Sequence, residues 1–254
     1  MGRMTAVHAA TRRAQFPVLL RMQMARVRAA WRPYLIVSSA MPLGIALLMR
    51  AVMSDAQVAE HGPQIVSGSA VLAITMTAIV MLAQRVASLR ETGAIDLYST
   101  LPVRRGAVIA AVLLSFAVFA LPGTVIVMVL GAALFDLSIA ALWVAVPVWA
   151  LGSFALAGLG VAIGFGAPDE QLAGMYSNFL MMAVLFLGIL PAGQLPGWVA
   201  PLRWALPSTY AIEVLKAGFE GEVSGRAGIY MLVLAAFGAL SFWLIRGPLW
   251  PRSE

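Results

Sequence analysis

The 254-residue chain has no cysteine, two histidines and a single lysine, and only 11% of its residues are charged. Each shortage excludes something. Without cysteine there are no disulfides, no thiolate nucleophile and no cysteine metal site. His8 and His61 lie in the amino-terminal tail and near a helix end, so neither a proton relay at membrane depth nor an HExxH zinc site can be assembled. Lys216 is followed by Ala217, so no phosphate-binding GxxxxGK[ST] loop exists. An ordinary soluble domain is about 25% charged, and the scarcity here comes with 61% hydrophobic residues and a mean hydropathy of +0.91.

What is present is apolar and long. Pro33 to Met49, His61 to Gln84, Gly106 to Phe135, Leu137 to Pro168, Gln171 to Leu202 and Ala227 to Ile245 contain no Asp, Glu, Lys or Arg. Crossing the hydrocarbon layer takes about 20 apolar residues of helix, and an isolated charge at its centre costs several kcal/mol. The pattern predicts an all-α integral membrane protein of six crossings, one membrane domain over 1–254. The first 30 residues lack an apolar core and carry six arginines, too polar for a signal peptide.

Basic residues set the expected orientation. With the amino terminus inside, thirteen fall on the cytoplasmic side (Arg3 to Arg32, Arg85 to Arg105, Arg246 and Arg252). Four fall outside: Arg50, Arg203, Lys216 and Arg226. Both termini are therefore expected in the cytoplasm, and the net charge of +6 points to anionic lipid. A nucleic-acid site would need a folded soluble basic face, and no soluble domain is available to carry one. Before the first crossing, Phe16, Leu20, Met24, Val27 and Trp31 recur at helical spacing, with Arg21, Arg28 and Arg32 on another face. That spacing predicts an amphipathic interfacial helix over 14–31; the plain alternative is a basic tail that only sets topology.

Prolines at Pro42, Pro122, Pro147 and Pro191 predict kinks within crossings. Gly160 and Gly164 form a small-xxx-small step that serves packing, or else dimerisation. Thr75, Met76 and Ile79 in the second crossing, with Asn178, Met182 and Phe186 in the fifth, are the candidate lining of a substrate path; the alternative is ordinary packing. Because the crossings carry no Asp, Glu, Lys or Arg and their one histidine, His61, stands near a helix end, ion coupling has no visible anchor, and any uphill movement must be powered by another polypeptide.

That partner could engage 85–106. Within it, Glu91 and Asp96 flank the start of a short amphipathic segment with Ile95, Tyr98 and Leu101 on one face, and Pro102, Arg104 and Arg105 near its end fit a capped surface helix. The second distinctive stretch, 192–212, continues from Pro191 a proline repeat through Pro196, Pro201 and Pro207 that is too close for a spanning helix. Trp198, Trp204 and Tyr210 there suit a headgroup boundary. A segment that dips in and returns is predicted, with an ordinary interfacial loop as its alternative. Arg203, Glu213 and Lys216 follow; Glu213 and Lys216 stand three apart and could pair on one helix face, or Glu213 could act at an exit.

The run Arg90-Glu91-x-Gly93-x-Ile95-Asp96-x-x-x-Thr100-Leu101-Pro102-Val103-x-Arg105 resembles the first cytoplasmic loop of ABC-2 type transporter permeases. Leu190-Pro191, Leu195-Pro196, Pro201-Leu202-Arg203 and Leu206 to Ala211 resemble the short re-entrant helices at their external mouth. The resemblance covers nearly the whole chain as an ordered pattern. It implies a non-catalytic subunit in a bacterial-type plasma membrane, with two permease chains, identical or homologous, and two separate ATPase chains that hold the ATP and Mg; this chain would hold no cofactor or metal. It assigns Arg90, Glu91, Ile95, Asp96, Tyr98, Leu101, Pro102, Arg104 and Arg105 to contact with the ATPase. Pro191, Pro196, Trp198, Pro201, Pro207, Tyr210 and Glu213 fall to an external gate. The function implied is export of a drug, antibiotic or lipid, since a charge-free passage offers a polar solute no partners. A non-transporting anchor or immunity-type subunit and an ion-coupled secondary transporter are the alternatives.

Overall fold

The computed structural model describes residues 17, 20–22, 25, 31–33, 35, 36, 38–93, 105–139, 142–189, 196–223 and 225–246. Six of its helices are long and apolar enough to cross a membrane: α1 (Trp31–Val52), α2 (Asp55–Glu91), α3 (Arg105–Leu134), α4 (Leu142–Gly166), α5 (Glu170–Ile189) and α7 (Gly225–Arg246). The thirteen-residue α6 (Pro207–Phe219) lies between α5 and α7, preceded by a 3-10 turn at Ala200–Ala205. No strand occurs among the described residues. The interfacial helix expected over 14–31 falls mostly outside them.

α2 is the axis of the bundle. Its start is fixed by a reciprocal cap: Gln57 N–H donates to Ser54 Oγ at 3.4 Å and Ser54 N–H to Gln57 Oε1 at 3.0 Å. It ends at Glu91, followed by Thr92 and by Gly93, whose φ of +65° lies in the left-handed region that glycine adopts readily. At 1.5 Å per residue its 37 residues extend about 55 Å, well beyond the ~30 Å hydrocarbon layer. In its most apolar window 89% of residues are buried, against 17% in α7. Midway, Met76–Met81 widens into a π-helical turn, an irregularity that often marks a working part of a helix.

The main core joins Ala70 and Val71 of α2, Val127 and Met128 of α3, Val144 and Val148 of α4, Ala211, Ile212 and Leu215 of α6 and Leu234 of α7. A second core, nearer the end of α2, joins Leu82 and Val86 to Leu113, Val161 and Ile245. Hydrogen bonds show which helix ends share a face. Arg50 Nε donates to the Leu134 carbonyl at 3.2 Å, tying the end of α1 to the end of α3. On the opposite face Arg90 reaches the end of α4. The spans thus alternate in direction, as six crossings require.

Glycine decides how closely α4 approaches. An added Cβ at Gly164 would stand 2.6 Å from the Ala83 carbonyl oxygen, and one at Gly160 would collide with the Ala78 carbonyl. The Gly160–Gly164 step therefore packs α4 on α2 within one chain and is not free for dimerisation. Gly158 lets Ser241 of α7 come close enough to donate to the Ala155 carbonyl at 3.1 Å. Pro122 and Pro147 lie inside α3 and α4, and Pro63 inside α2.

Candidate functional site

At the face where α2 ends, two adjacent charged side chains reach across to the α4–α5 connection. Arg90 Nη1 donates to the carbonyls of Phe165 at 2.6 Å, Ala167 at 2.8 Å and Gly164 at 3.3 Å. These are carbonyls at the end of α4 that no further helical turn can satisfy, and a cation is favoured there by the helix dipole. Glu91 Oε1 accepts from the backbone N–H of Glu170, the first residue of α5, at 3.2 Å, the complementary arrangement at a helix start. Asp169 caps the same helix by accepting from Leu172 N–H at 2.7 Å. Beside this knot a cavity of about 270 Å³ is lined by Met81, Gln84, Arg85, Ser88, Phe116 and Glu170. Ile95, Asp96, Tyr98, Leu101, Pro102 and Arg104 of the expected coupling segment lie outside the described residues, and Arg105 opens α3.

At the opposite face, Arg203 is 4% exposed and pairs with Glu213 at 2.7 Å. The expected Glu213–Lys216 pair does not form: Lys216 sits 3.8 Å from Glu220 one turn on. The turn at Leu206 carries the 3-10 segment back over α6, with Thr209 donating its hydroxyl hydrogen to the Arg203 carbonyl and Tyr210 Oη donating to the Trp204 carbonyl at 2.9 Å. Arg203 also lies 5.6 Å from the Trp204 ring centroid, a cation–π distance. Trp204, Tyr210 and Tyr230 pack with centroids 5.5 to 5.7 Å apart, and Phe237 adjoins Tyr210. A polar cavity of about 170 Å³ opens here, lined in part by Glu213, Lys216, Glu220, Glu222 and Arg226. Of the expected gate residues, Pro196, Trp198 and Pro201 are exposed, Pro207 is buried at the start of α6, and Pro191 lies outside the described residues.

Between the two faces the candidate path residues separate into two groups. Thr75 and Ile79 are buried in the chain; Thr75 Oγ1 donates back to the Val71 carbonyl at 2.8 Å, and Ile79 packs with Leu156. Met76, at the π-helical turn, packs against the buried cluster of Leu72, Val80 and Met181. Asn178, Met182 and Phe186 instead lie on an exposed face of α5, with Met175 and Phe179, at spacings of three and four residues. The structure thus brings Asn178, Met182 and Phe186 to one surface and leaves Thr75 and Ile79 inside.

No group of three or more metal-ligating side chains occurs among the described residues. Nor does the sequence offer a nucleotide-binding loop, so the geometry provides bracing at both faces and an apolar bundle between them. The family description "ABC-2 type transporter" matches residues 14–219, more than half of the chain. The chain belongs to the ABC-2 type transporter family. A curated relative, Nodulation protein J of Sinorhizobium fredii (strain NBRC 101917 / NGR234), is 29% identical over 110 residues. That similarity covers 42% of this chain and 42% of the relative, so the chain spans about two-fifths of the relative's length. The six apolar helices and the family together make this a multi-pass membrane protein and a transport permease.

Missing from the sequence reading were the Arg203–Glu213 pair, the π-helical turn and the destination of Arg90. The Arg203 partner had one available signal, the isolation of both charges within an otherwise apolar stretch.

Proposed function

We propose that the chain is the membrane-spanning permease subunit of an ATP-driven exporter, moving a hydrophobic or amphipathic compound such as a drug, antibiotic or lipid outward. Two separate ATPase chains supply ATP hydrolysis, and a second permease chain, identical or homologous, completes the passage. The observation that carries the proposal is the distribution of chemistry over the bundle: among the described residues Asp, Glu, Lys and Arg fall outside the six apolar runs, with an exposed Met, Phe and Asn surface on α5 between the two charged faces. Such a surface suits an amphipathic solute and a second copy of α5, because thioethers and aromatic rings adapt to varied apolar shapes, while a sugar would find few polar partners there.

The face bearing Arg90 and Glu91 is taken as cytoplasmic, in a bacterial-type plasma membrane, where the ATPase would meet the 85–106 segment. The face bearing Arg203 and Glu213 is then the external mouth, and α6 dips into the membrane there, since thirteen residues cannot span it. An interfacial position for the amino-terminal segment belongs to this reading and is supported by Trp31 and Arg32, whose guanidinium carbon lies 5.7 Å from the ring centroid, the kind of pair that interfaces favour. Reporter tags at Gly2 and Glu254 are expected to read as cytoplasmic and one at Ala59 as external; termini on opposite sides would reject six crossings. The functional test is affinity capture of the tagged chain from its native membrane. A stoichiometric ATPase with a phosphate-binding loop is expected, and a chain that purifies without one would not be an exporter subunit.

A further inference from the structure

Arg90 and Glu91 are consecutive, sit at the exposed end of α2, and both turn their functional atoms towards the α4–α5 connection. Arg90 gathers three carbonyls at the end of α4, and Glu91 holds the first N–H of α5. One dipeptide therefore caps two helices that point in opposite directions, across the short connection through Ala167, Pro168 and Asp169. The signs are matched: cation to the carbonyl end, carboxylate to the amide end. The contact is reinforced within the same few turns. Gly164 admits the Ala83 carbonyl, and Gly174 of α5 admits the side chain of Gln84, whose Nε2 lies 2.7 Å from where a Cβ would be. On the far side of the π-helical turn at Met76–Met81, α2 is held to α5 by a different bond, Gln64 Nε2 to the Gly188 carbonyl at 2.5 Å.

We infer that Arg90 and Glu91 are positioning residues that fasten the α4–α5 hairpin to the inner end of α2, so that a displacement delivered to that end of α2 moves α5 together with its exposed Met–Phe–Asn face. The contrast is with direct ATPase contact, which would leave these two side chains turned outward. A π-helical turn between the clamp and the Gln64 bond provides a joint about which the inner segment Leu82–Glu91 can tilt while the outer segment stays packed. The inference rests on the proposed partner-driven transport for its purpose, but the clamp itself is testable in the isolated chain.

The absence of native cysteine makes cross-linking clean. Ser88 and Glu170 line the same cavity on opposite sides of the clamp, and Ser88→Cys with Glu170→Cys leaves the Glu170 backbone N–H in place. In membranes without any ATPase, a short bifunctional thiol reagent should join this pair readily. Adding Arg90→Gln should slow the reaction about tenfold, as loss of a charge-assisted hydrogen bond allows, with Glu91→Gln having a smaller effect and Arg90→Lys an intermediate one. In the complex with its ATPase, Arg90→Gln should preserve partner binding and ATP hydrolysis while transport per ATP falls. Unchanged cross-linking in Arg90→Gln would overturn the clamp, as would loss of partner binding with cross-linking intact, which would assign Arg90 to the interface. An Arg90→Gln chain that does not fold is replaced by Arg90→Lys, for which the same two results overturn it. If the parent complex shows no ATP-driven transport, the exporter proposal fails while cross-linking still judges the clamp.

Discussion

Replacing Gly160 by valine should prevent the bundle from assembling. Its hydrogen atoms face the π-helical turn of α2, where an added Cβ would overlap the Ala78 carbonyl oxygen and stand 3.0 Å from Ile79 Cα. Those are backbone atoms, which cannot swing aside as a side chain tip can. Overpacking of side chains costs about 1–3 kcal/mol, and separating two helix backbones should exceed the upper end. Because Leu156 packs with Ile74 and Ile79 around the same crossing, the π-helical turn would lose its support as well. Expression of Gly160→Val should yield little monodisperse protein in detergent. Gly166→Ala is the control, because nothing lies within 4 Å of the added methyl. Equal yields from both variants would mean that α4 and α2 are not in close contact.

The second large effect is expected at Arg203. Its guanidinium is almost fully buried, paired with Glu213, and its Nε has no hydrogen-bond partner among the described residues. Removing one member of a fully buried pair costs about 3–5 kcal/mol because the remaining charge is stranded. Glu213 retains 22% exposure of its side chain, so Arg203→Ala should cost about 2 kcal/mol, less than that range by the hydration Glu213 can recover. Thermal unfolding in detergent should show the loss, and the double variant Arg203→Ala/Glu213→Ala should recover part of it, a coupling that separates the pair from general packing. Glu213→Gln keeps a hydrogen-bond acceptor for Arg203 but removes the charge. It should fold and assemble, and it should alter transport of cationic substrates if this end is the exit. Additive losses in the double variant would mean that the two residues do not depend on each other.

Much of the bundle was legible because membrane spans are written as charge-free runs, and all six fall within or across the helices found. Helix ends were less legible. α2 continues past its apolar run to Glu91 because Leu82, Ala83, Val86 and Ala87 keep one face buried while Arg85 and Arg90 sit on others, and a count of charges ends the span too early. The π-helical turn has no glycine or proline to announce it in Met76–Met81; it lies where Gly160 packs against α2, a contact between residues about 80 positions apart. Arg90 likewise finds its carbonyls more than 70 residues away, so sequence spacing exposed its charge but not its destination. At Glu213 local spacing misled: a partner three residues on the same helix was the economical choice, yet the turn at Leu206 folds Arg203 back from ten residues away. Thr75 and Ile79 were grouped with Asn178, Met182 and Phe186 by residue type, and the rotation of α2 that buries the first two is set by packing.

The central claim, that this chain is the passage and another chain the engine, is tested most directly by co-reconstituting it with its captured ATPase in proteoliposomes loaded with fluorescent amphipathic compounds. Transport should require ATP and Mg on the ATPase side. It should disappear when the ATPase lysine that holds phosphate is replaced, and persist when ion gradients are collapsed. Transport that continues without ATP and follows an imposed ion gradient would contradict the account.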